Sequence, residues 1–198
     1  MTGLVDYGAG NMKSVANALD RLGATFEVCE TPEELRRVRR IVLPGVGHFS
    51  SAARRLTETG MLGELRDQVR AGTPLLGICL GLQLLFEGSD EAPGQPGLDL
   101  LPGRTVRLEA RRVPHMGWNR VIAERSCALL PAAGGEYFYF AHGYVTRLGS
   151  PEHLLGSVAI DDRSHPAVVG REGLWGVQFH PEKSGEAGLA LLRRFTGC

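Results

Sequence analysis

A cysteine framed by two glycines is the segment of this sequence best suited to chemistry. The apolar run over 73–76 predicts a short buried strand, and the apolar residues after Gly81 predict the start of a helix. Cys79 is therefore expected on a strand-to-helix turn, in the G-x-S-x-G pattern of a nucleophile elbow with Cys in place of Ser. The glycines at 77 and 81 allow the sharp turn, since a Cβ at either position would crowd a neighbouring strand or helix. The positive end of the helix would favour the thiolate, and the N–H of Leu80 would face an oxyanion.

A second segment, near the C-terminus, supplies the partners that a cysteine nucleophile needs. His180 and Glu182, in Phe-His-Pro-Glu, lie at the end of a further predicted strand. Histidine can act as general base and acid, and an acidic residue can orient its ring, so the three residues predict a Cys-His-Glu catalytic triad. A buried structural cysteine is the alternative for Cys79, because cysteine is among the most buried residue types.

The composition argues against several classes of protein. Lysine plus arginine and aspartate plus glutamate both number 22, and this zero net charge argues against a general nucleic-acid or anionic-membrane binder. No apolar run approaches the length of a transmembrane helix. Cys29, Cys127 and Cys198 form no Cys-x-x-Cys pair, so no metal site is expected, and the triad chemistry needs no cofactor. Cysteines without evident partners and without an apolar N-terminal signal indicate a reducing, cytoplasmic setting.

The order of the predicted elements indicates an α/β fold in a single domain over residues 1–198. Strands are expected over 3–5, 25–29, 40–43 and 73–76. A helix is expected over 11–22, a capping box with proline at the first helical position over 31–34, and two helices between 47 and 72. This alternation predicts a mostly parallel sheet flanked by helices. Ligands bind outside the carboxyl ends of such strands, where Cys79 and the loop over 44–47 are expected.

The second half of the chain is more β-rich. A loop rich in glycine, proline and acidic residues covers 87–102. Strands are then expected over 104–108, 137–141, 157–160, 167–170 and 174–179, and a helix over 186–195 closes the chain.

Further segments accompany the triad motifs and resemble a known family. The motifs over 77–81 and 176–182 are similar to those of the class I glutamine amidotransferases. Three other segments, over 6–11, 44–47 and 113–119, resemble the glutaminase subunits of imidazole glycerol phosphate synthase, and the extension over 183–185 fits too. The resemblance covers essentially the whole chain. It implies that the protein hydrolyses glutamine to glutamate and ammonia and passes the ammonia to a synthase site.

The resemblance also implies roles for individual residues. Cys79 is similar to the nucleophile, His180 to the general base and acid, and Glu182 to the carboxylate that orients the histidine. An oxyanion hole would use the backbone N–H groups of Val46 and Leu80. Contacts with the glutamine substrate would come from Gly47, Gln83, Gly143 and Tyr144. Many relatives carry serine at Gly143, so only a backbone contact can be kept there, and the neighbouring His142 is expected to be structural.

The loop over 44–47 is the expected control point of the reaction. Glycines bracket Val46, so its peptide can rotate at low steric cost. One orientation would aim an N–H at the oxyanion, and the other would aim a carbonyl there. We therefore expect the lone chain to be nearly inactive, without two donors converging near the Cys79 sulfur.

A partner is implied because free ammonia is protonated in water. The resemblance implies a heterodimer with a (β/α)8-barrel cyclase subunit, which would use the ammonia to make imidazole glycerol phosphate and the aminoimidazole carboxamide ribonucleotide in histidine biosynthesis. The docking face is expected to include Asn11, Met116, Trp118, Asn119, Tyr139 and Lys183. Trp118 can equally be interpreted as a core residue.

Two other classes of protein stay open at this point. A cysteine hydrolase or peptidase with the same elbow would act without a partner, although Gln83 and the segment over 113–119 argue against it. A binding module could keep the fold without catalysis, although the presence of all three triad residues argues against that.

Overall fold

The computed structural model of the protein describes residues 1–8, 11–130 and 135–198. Ala9 and Gly10, which belong to the motif over 6–11, lie outside this part of the chain. None of the helices within it is long and apolar enough to cross a membrane.

Strands and helices alternate in the first half of the chain, as the sequence predicts. The order is β1 (Thr2–Val5), α1 (Met12–Arg21), β2 (Phe26–Cys29), α2 (Pro32–Leu35), β3 (Arg40–Leu43), α3 (Phe49–Glu58), α4 (Met61–Arg70) and β4 (Leu75–Ile78). The expected capping box is confirmed: the Thr31 side chain accepts from the Glu34 N–H, and the Glu34 carboxylate accepts from the Thr31 N–H. This pairing satisfies two orphan donors at the start of α2.

Among the described residues, the second half contains a short helix, seven strands and a C-terminal helix. The short helix and the strands are α5 (Leu80–Gln83), β5 (Gly103–Arg107), β6 (His115–Ala123), β7 (Gly135–His142), β8 (Tyr144–Leu148), β9 (Leu154–Ile160), β10 (Arg163–Arg171) and β11 (Leu174–Val177). Helix α6 (Gly185–Thr196) closes the chain, and short 3-10 helices cover Pro151–His153 and Pro181–Lys183. The expected helix after Cys79 is only one turn long. Strands β6 and β8 have no counterpart among the predicted elements.

The sheet joins a parallel half to an antiparallel half. Its order is β2-β1-β3-β4-β11-β10-β9-β6-β7, and the pairs from β2 through β11 are parallel. The remaining pairs, from β11 to β7, are antiparallel, while β5 and β8 form a separate antiparallel pair. The α/β class and the β-rich second half are confirmed. The parallel strands that the sequence predicts form the half of the sheet that carries Cys79.

Apolar side chains pack on both faces of the sheet. On one face, Val15 and Leu19 of α1 and Leu192 of α6 are fully buried in one cluster. On the other, Phe49 and Leu56 of α3 are fully buried in a second cluster with residues of α2 and α4. Strand β4 lies between β3 and β11 in this covered region. Cys79, the residue after β4, is therefore held in place by packed elements at the carboxyl edge of the parallel strands.

Candidate active site

Cys79 occupies a sharp turn between β4 and α5. Its φ of 55° and ψ of −107° lie outside the regions that ordinary residues favour. The turn requires the glycines: a Cβ at Gly77 would lie 2.6 Å from the carbonyl oxygen of Gly81, and a Cβ at Gly81 would overlap the carbonyl oxygen of Leu43. The main chain therefore approaches itself on both sides of the cysteine. This geometry is that of a nucleophile elbow, in which strain keeps the side chain at the edge of the sheet.

His180 comes close to Cys79 because the two strands that precede them are neighbours. Strands β4 and β11 are parallel with Ile78 opposite Val177, so both chains leave the sheet at the same edge. The His180 side chain is buried, and Cys79 is one of the two groups that act on its charge. Burial by itself lowers the pKa of His180, but hydrogen bonds and charge interactions with Cys79 and Glu182 outweigh it and raise the pKa to about 9. The imidazole therefore holds its proton at neutral pH.

Glu182 holds the other side of the His180 ring. Its Oε1 accepts a hydrogen bond from His180 Nδ1 at 2.8 Å, and the Glu182 side chain is fully buried. Because a carboxylate can only accept, Nδ1 carries the hydrogen and Nε2 is the ring nitrogen left for other partners. The same Oε1 also accepts from Asn11 Nδ2, whereas Oε2 has no partner among the described residues.

A chain of amide groups approaches the cysteine from a third direction. Gln178 is buried, and its Nε2 donates to the Cys79 sulfur over 3.7 Å. Its Oε1 accepts from Gln83 Nε2 at 3.3 Å, and Gln83 Nε2 also lies 3.5 Å from the carbonyl oxygen of Tyr144. Gln178 is a residue of the site that was not predicted from the sequence. Its position one residue before Phe179 in the same motif was the available signal.

A cavity of about 310 Å³ opens in front of the Cys79 sulfur. Its lining includes seven residues that were predicted from the sequence: Val46, Gly47, Cys79, Leu80, Gln83, Gly143 and Tyr144. Four others complete its wall: Glu91, Pro114, Ala141 and His142. The volume and the mixture of apolar surface with a few polar groups suit a small polar ligand.

The loop over 44–47 does not present a free pair of donors at this cavity. The Leu80 N–H, one of the two donors expected in the oxyanion hole, donates to the carbonyl oxygen of Gly45 at 3.3 Å. Tyr7 holds the first residue of the loop, since its hydroxyl donates to the carbonyl oxygen of Pro44 at 3.0 Å. Burial raises the pKa of Tyr7, and the nearby Cys79 and Asp6 raise it further. The phenol thus stays neutral and able to donate.

Glu91 lines the cavity and was not predicted from the sequence. Its side chain is only 14% exposed, and Oε2 accepts from the backbone N–H of Phe49, the first residue of α3, at 2.7 Å. Glu91 lies within the loop over 87–102, which has no regular structure. Nothing in the local sequence distinguishes it from the other acidic residues there.

His142 is a buried neutral histidine, as expected. Its Nδ1 contacts the carbonyl oxygen of Tyr144 at 2.9 Å. Burial is the main cause that lowers the pKa of His142 to about 4, with smaller contributions from neighbouring histidines. Its ring therefore remains uncharged across the physiological range and supplies no proton to the Cys79 site.

The residues expected on a docking face are not all equivalent. Met116 and Trp118 are exposed on one face of β6, at 64% and 54%, and the Trp118 ring meets Tyr139 of β7 edge-on. The exposure of Trp118 supports its interpretation as a surface residue and not as a core residue. Lys183 is also exposed. Asn119 falls on the opposite face of β6 and donates to the carbonyl oxygen of Ala159. Asn11 points its amide towards Glu182.

The sequence of this chain matches a known family and several of its members. The family model of class I glutamine amidotransferases matches residues 3–196. The imidazole glycerol phosphate synthase subunit HisH of Geobacillus thermodenitrificans is 48% identical over all of this chain and 95% of its own length. The subunit of the same name from Desulfitobacterium hafniense is 47% identical, over 98% of this chain and 93% of its own length.

Solved structures agree at the level of the fold. A glutamine amidotransferase crystal structure superposes with a TM-score of 0.79 at 24% identity, over 100% of this chain and 99% of that one. The structure of PurLQS from Thermotoga maritima gives a TM-score of 0.73 at 20% identity, over 99% and 97% of the two chains. The sequence comparisons identify the family more specifically than the fold does. They show that the chain belongs to the class I glutamine amidotransferases and, within them, to the HisH subunits of imidazole glycerol phosphate synthase.

Proposed function

We propose that this chain releases ammonia from glutamine at Cys79 and passes it to a cyclase subunit of the (β/α)8-barrel type. The observation that carries the proposal is the convergence of three residues: Cys79 lies on the wall of the cavity, His180 interacts with Cys79, and Glu182 holds the His180 ring by a hydrogen bond. Family membership supplies the reaction, and the geometry supports the assignment of each step to a residue.

The first half of the reaction forms a thioester. The Cys79 thiolate attacks the carboxamide carbon of the glutamine side chain, and the carbonyl oxygen becomes an oxyanion held by the N–H groups of Leu80 and Val46. His180, protonated at neutral pH, gives its proton to the departing nitrogen, so ammonia leaves as a neutral molecule. Glu182 keeps the His180 ring in the tautomer and orientation that this transfer needs.

The second half of the reaction releases glutamate. His180, now neutral, takes a proton from water as the water attacks the thioester. The Cys79 thiolate leaves, the new carboxylic acid loses its proton to solvent to give glutamate, and the thiolate–imidazolium pair is restored. His180 handles the proton given to ammonia and the proton taken from water, so a single base is sufficient.

Contacts with the α-amino and α-carboxylate groups of glutamine fix the substrate in the cavity. We assign the ammonium to the Glu91 carboxylate, the one carboxylate on the wall of the cavity as described. The α-carboxylate would lie against the backbone at Gly143 and Tyr144, and Gly47 and Gln83 would complete the site. A glycine at 143 leaves only backbone donors there.

The cyclase would cover the surface that carries Met116, Trp118, Tyr139, Asn11 and Lys183. A barrel seated there would receive ammonia before it meets bulk water, where protonation removes its nucleophilicity. All four cysteines of the chain are free thiols, which fits the reducing cytoplasm in which we place the enzyme.

An isotope experiment tests hydrolysis and channelling together. The chain and its cyclase are supplied with glutamine labelled with ¹⁵N in the side-chain amide, the cyclase substrate and excess unlabelled ammonium. We expect the label to enter imidazole glycerol phosphate in almost every turnover. Glutamine hydrolysis with unlabelled product would contradict channelling, and cleavage of peptides in place of glutamine would favour the peptidase interpretation.

A further inference from the structure

Asn11 stands at the start of α1, but its side chain does not cap the helix. Asparagine is a favoured N-cap residue because its side-chain oxygen can accept an N–H of the first turn. At the start of α2 the Thr31 hydroxyl oxygen accepts such a bond, and at the start of α3 the ring nitrogen Nδ1 of His48 does so. The Asn11 side chain makes none, and its main chain has a φ of 78°. Because Asn11 has a left-handed main chain and makes no capping bond, helix capping does not account for its presence here.

The explanation is the contact with Glu182. Two donors, Asn11 Nδ2 and His180 Nδ1, converge on the same carboxylate oxygen, while Oε2 is buried without a partner among the described residues. Rotating the carboxylate would therefore break two hydrogen bonds and leave buried groups unsatisfied. With both donors in place, Oε1 faces the imidazole.

We propose that Asn11 is a positioning residue of the triad, which fixes the Glu182 carboxylate and through it the His180 ring. The proposal rests on the proposed roles of Cys79, His180 and Glu182. Asparagine meets both requirements of the position: it is the non-glycine residue that best tolerates a left-handed conformation, and its amide donates. Aspartate shares the shape and the tolerance but, when ionised, can only accept.

Two substitutions separate positioning from a backbone role. Asn11→Gly keeps the left-handed main chain and removes the donor, and Asn11→Asp keeps the shape and reverses the hydrogen-bond polarity. Asn17→Ala, an exposed position of the same helix, is the matched control. Each variant is assayed for glutamine turnover with the cyclase, for its Kd with the cyclase, and by NMR titration of His180 in the chain alone.

We expect kcat to fall about tenfold in Asn11→Gly and at least as far in Asn11→Asp, with the KM for glutamine changed less than about threefold, because a hydrogen bond to a charged group is lost. The His180 titration should shift in Asn11→Gly, because the carboxylate that faces the ring loses a donor, and stay in place in Asn17→Ala. These changes should occur without a matching rise in Kd for the cyclase.

Several outcomes would overturn the inference. They are unchanged kcat and His180 titration in both Asn11 variants, losses confined to KM or to Kd for the cyclase, or full activity in Asn11→Asp. A parallel Glu182→Gln variant separates this failure from that of the triad itself. If Glu182→Gln is as active as the wild type, the proposed triad is wrong, whereas a damaged Glu182→Gln beside normal Asn11 variants rejects only the role of Asn11.

Discussion

The backbone N–H of Leu80 donates to the carbonyl oxygen of Gly45 at 3.3 Å. The first donor of the expected oxyanion hole is therefore engaged by a carbonyl oxygen of the loop over 44–47. A developing oxyanion would have to displace that oxygen before it could use the Leu80 N–H. This relationship agrees with the expectation that the lone chain lacks two converging donors.

The first prediction concerns this loop. We expect the chain alone to turn over glutamine slowly, the complex with the cyclase faster, and the complex with the cyclase and its nucleotide ligand fastest. One oxyanion donor is worth about 10²–10³ in rate, so the full span should reach at least that size. Steady-state glutaminase rates in the three conditions give the measurement, and equal rates would remove the case for a switch.

The second prediction concerns the nucleophile. Cys79→Ala should abolish glutaminase activity and leave the Kd for the cyclase unchanged, since the sulfur is the attacking atom and lies in the cavity. A chloroketone analogue of glutamine should label Cys79 and spare Cys29, because burial is the main cause that raises the pKa of Cys29 to about 12. Peptide mapping by mass spectrometry identifies the labelled residue. Full glutamine turnover by Cys79→Ala would refute the assignment.

The third prediction ranks the two partners of Cys79. His180→Ala should cost more activity than Glu182→Gln, because the imidazole moves protons while the carboxylate orients it. General acid–base catalysis contributes about 10²–10⁴ in rate, which sets the expected loss for His180→Ala. Initial rates with the cyclase present measure both variants. A larger loss in Glu182→Gln would reverse the roles proposed here.

The elements that carry the triad could be predicted from sequence because local patterns define them. The glycines around Cys79 and the apolar run before it indicate a strand and a turn, and the pairing of β4 with β11 then brings His180 beside it. Strands β6 and β8 were not predicted. In β6 only Val121 is buried, and Gly117, Asn119 and Arg120 interrupt any alternation of apolar with polar residues in the sequence. The place of both strands depends on pairing with β7, β9 and β5.

Contacts that depend on distant segments were harder to predict. Glu91 reaches the cavity from an irregular loop, and its anchor is the N–H of Phe49, which belongs to a different part of the chain. Asn11 was expected on the docking face because of the family resemblance, while its contact with Glu182 spans 171 positions in the sequence. Periodicity reports which face of an element is apolar and says nothing about such side-chain pairs.

The fourth prediction concerns stability and pH. Folding raises the pKa of His180 from an ordinary 6.5 to about 9, so the folded chain binds a proton that the unfolded chain releases. The resulting stabilisation, on the order of 3 kcal/mol, is complete below pH 6.5 and is lost as the pH rises through about 9. Urea denaturation of the wild type and His180→Gln at pH 6 and pH 9.5 should show the advantage of the wild type shrinking at the higher pH.

A matched histidine gives the control for this measurement. His142 shifts in the opposite direction: folding lowers its pKa from an ordinary 6.5 to about 4, so the unfolded chain binds the extra proton, and the advantage of the wild type over His142→Asn should grow between pH 6 and pH 9.5. An advantage over His180→Gln that stays constant or grows with pH would contradict a protonated His180 in the folded chain.

The last prediction concerns Glu91 as the partner of the substrate ammonium. Glu91→Gln keeps an oxygen that can accept from the Phe49 N–H, so the fold should be retained, but it removes the negative charge from the cavity wall. Losing a charged hydrogen bond typically costs about 1.5–3 kcal/mol, so the KM for glutamine should rise about 10- to 100-fold while kcat changes much less. Asp90→Asn is the matched control, because the neighbouring Asp90 is exposed and pairs with Arg104 outside the cavity. A substrate analogue without the α-amino group should bind the wild type and Glu91→Gln with similar affinity. If Glu91→Gln instead loses kcat at an unchanged KM, or if Asp90→Asn matches its KM, the ammonium is held elsewhere.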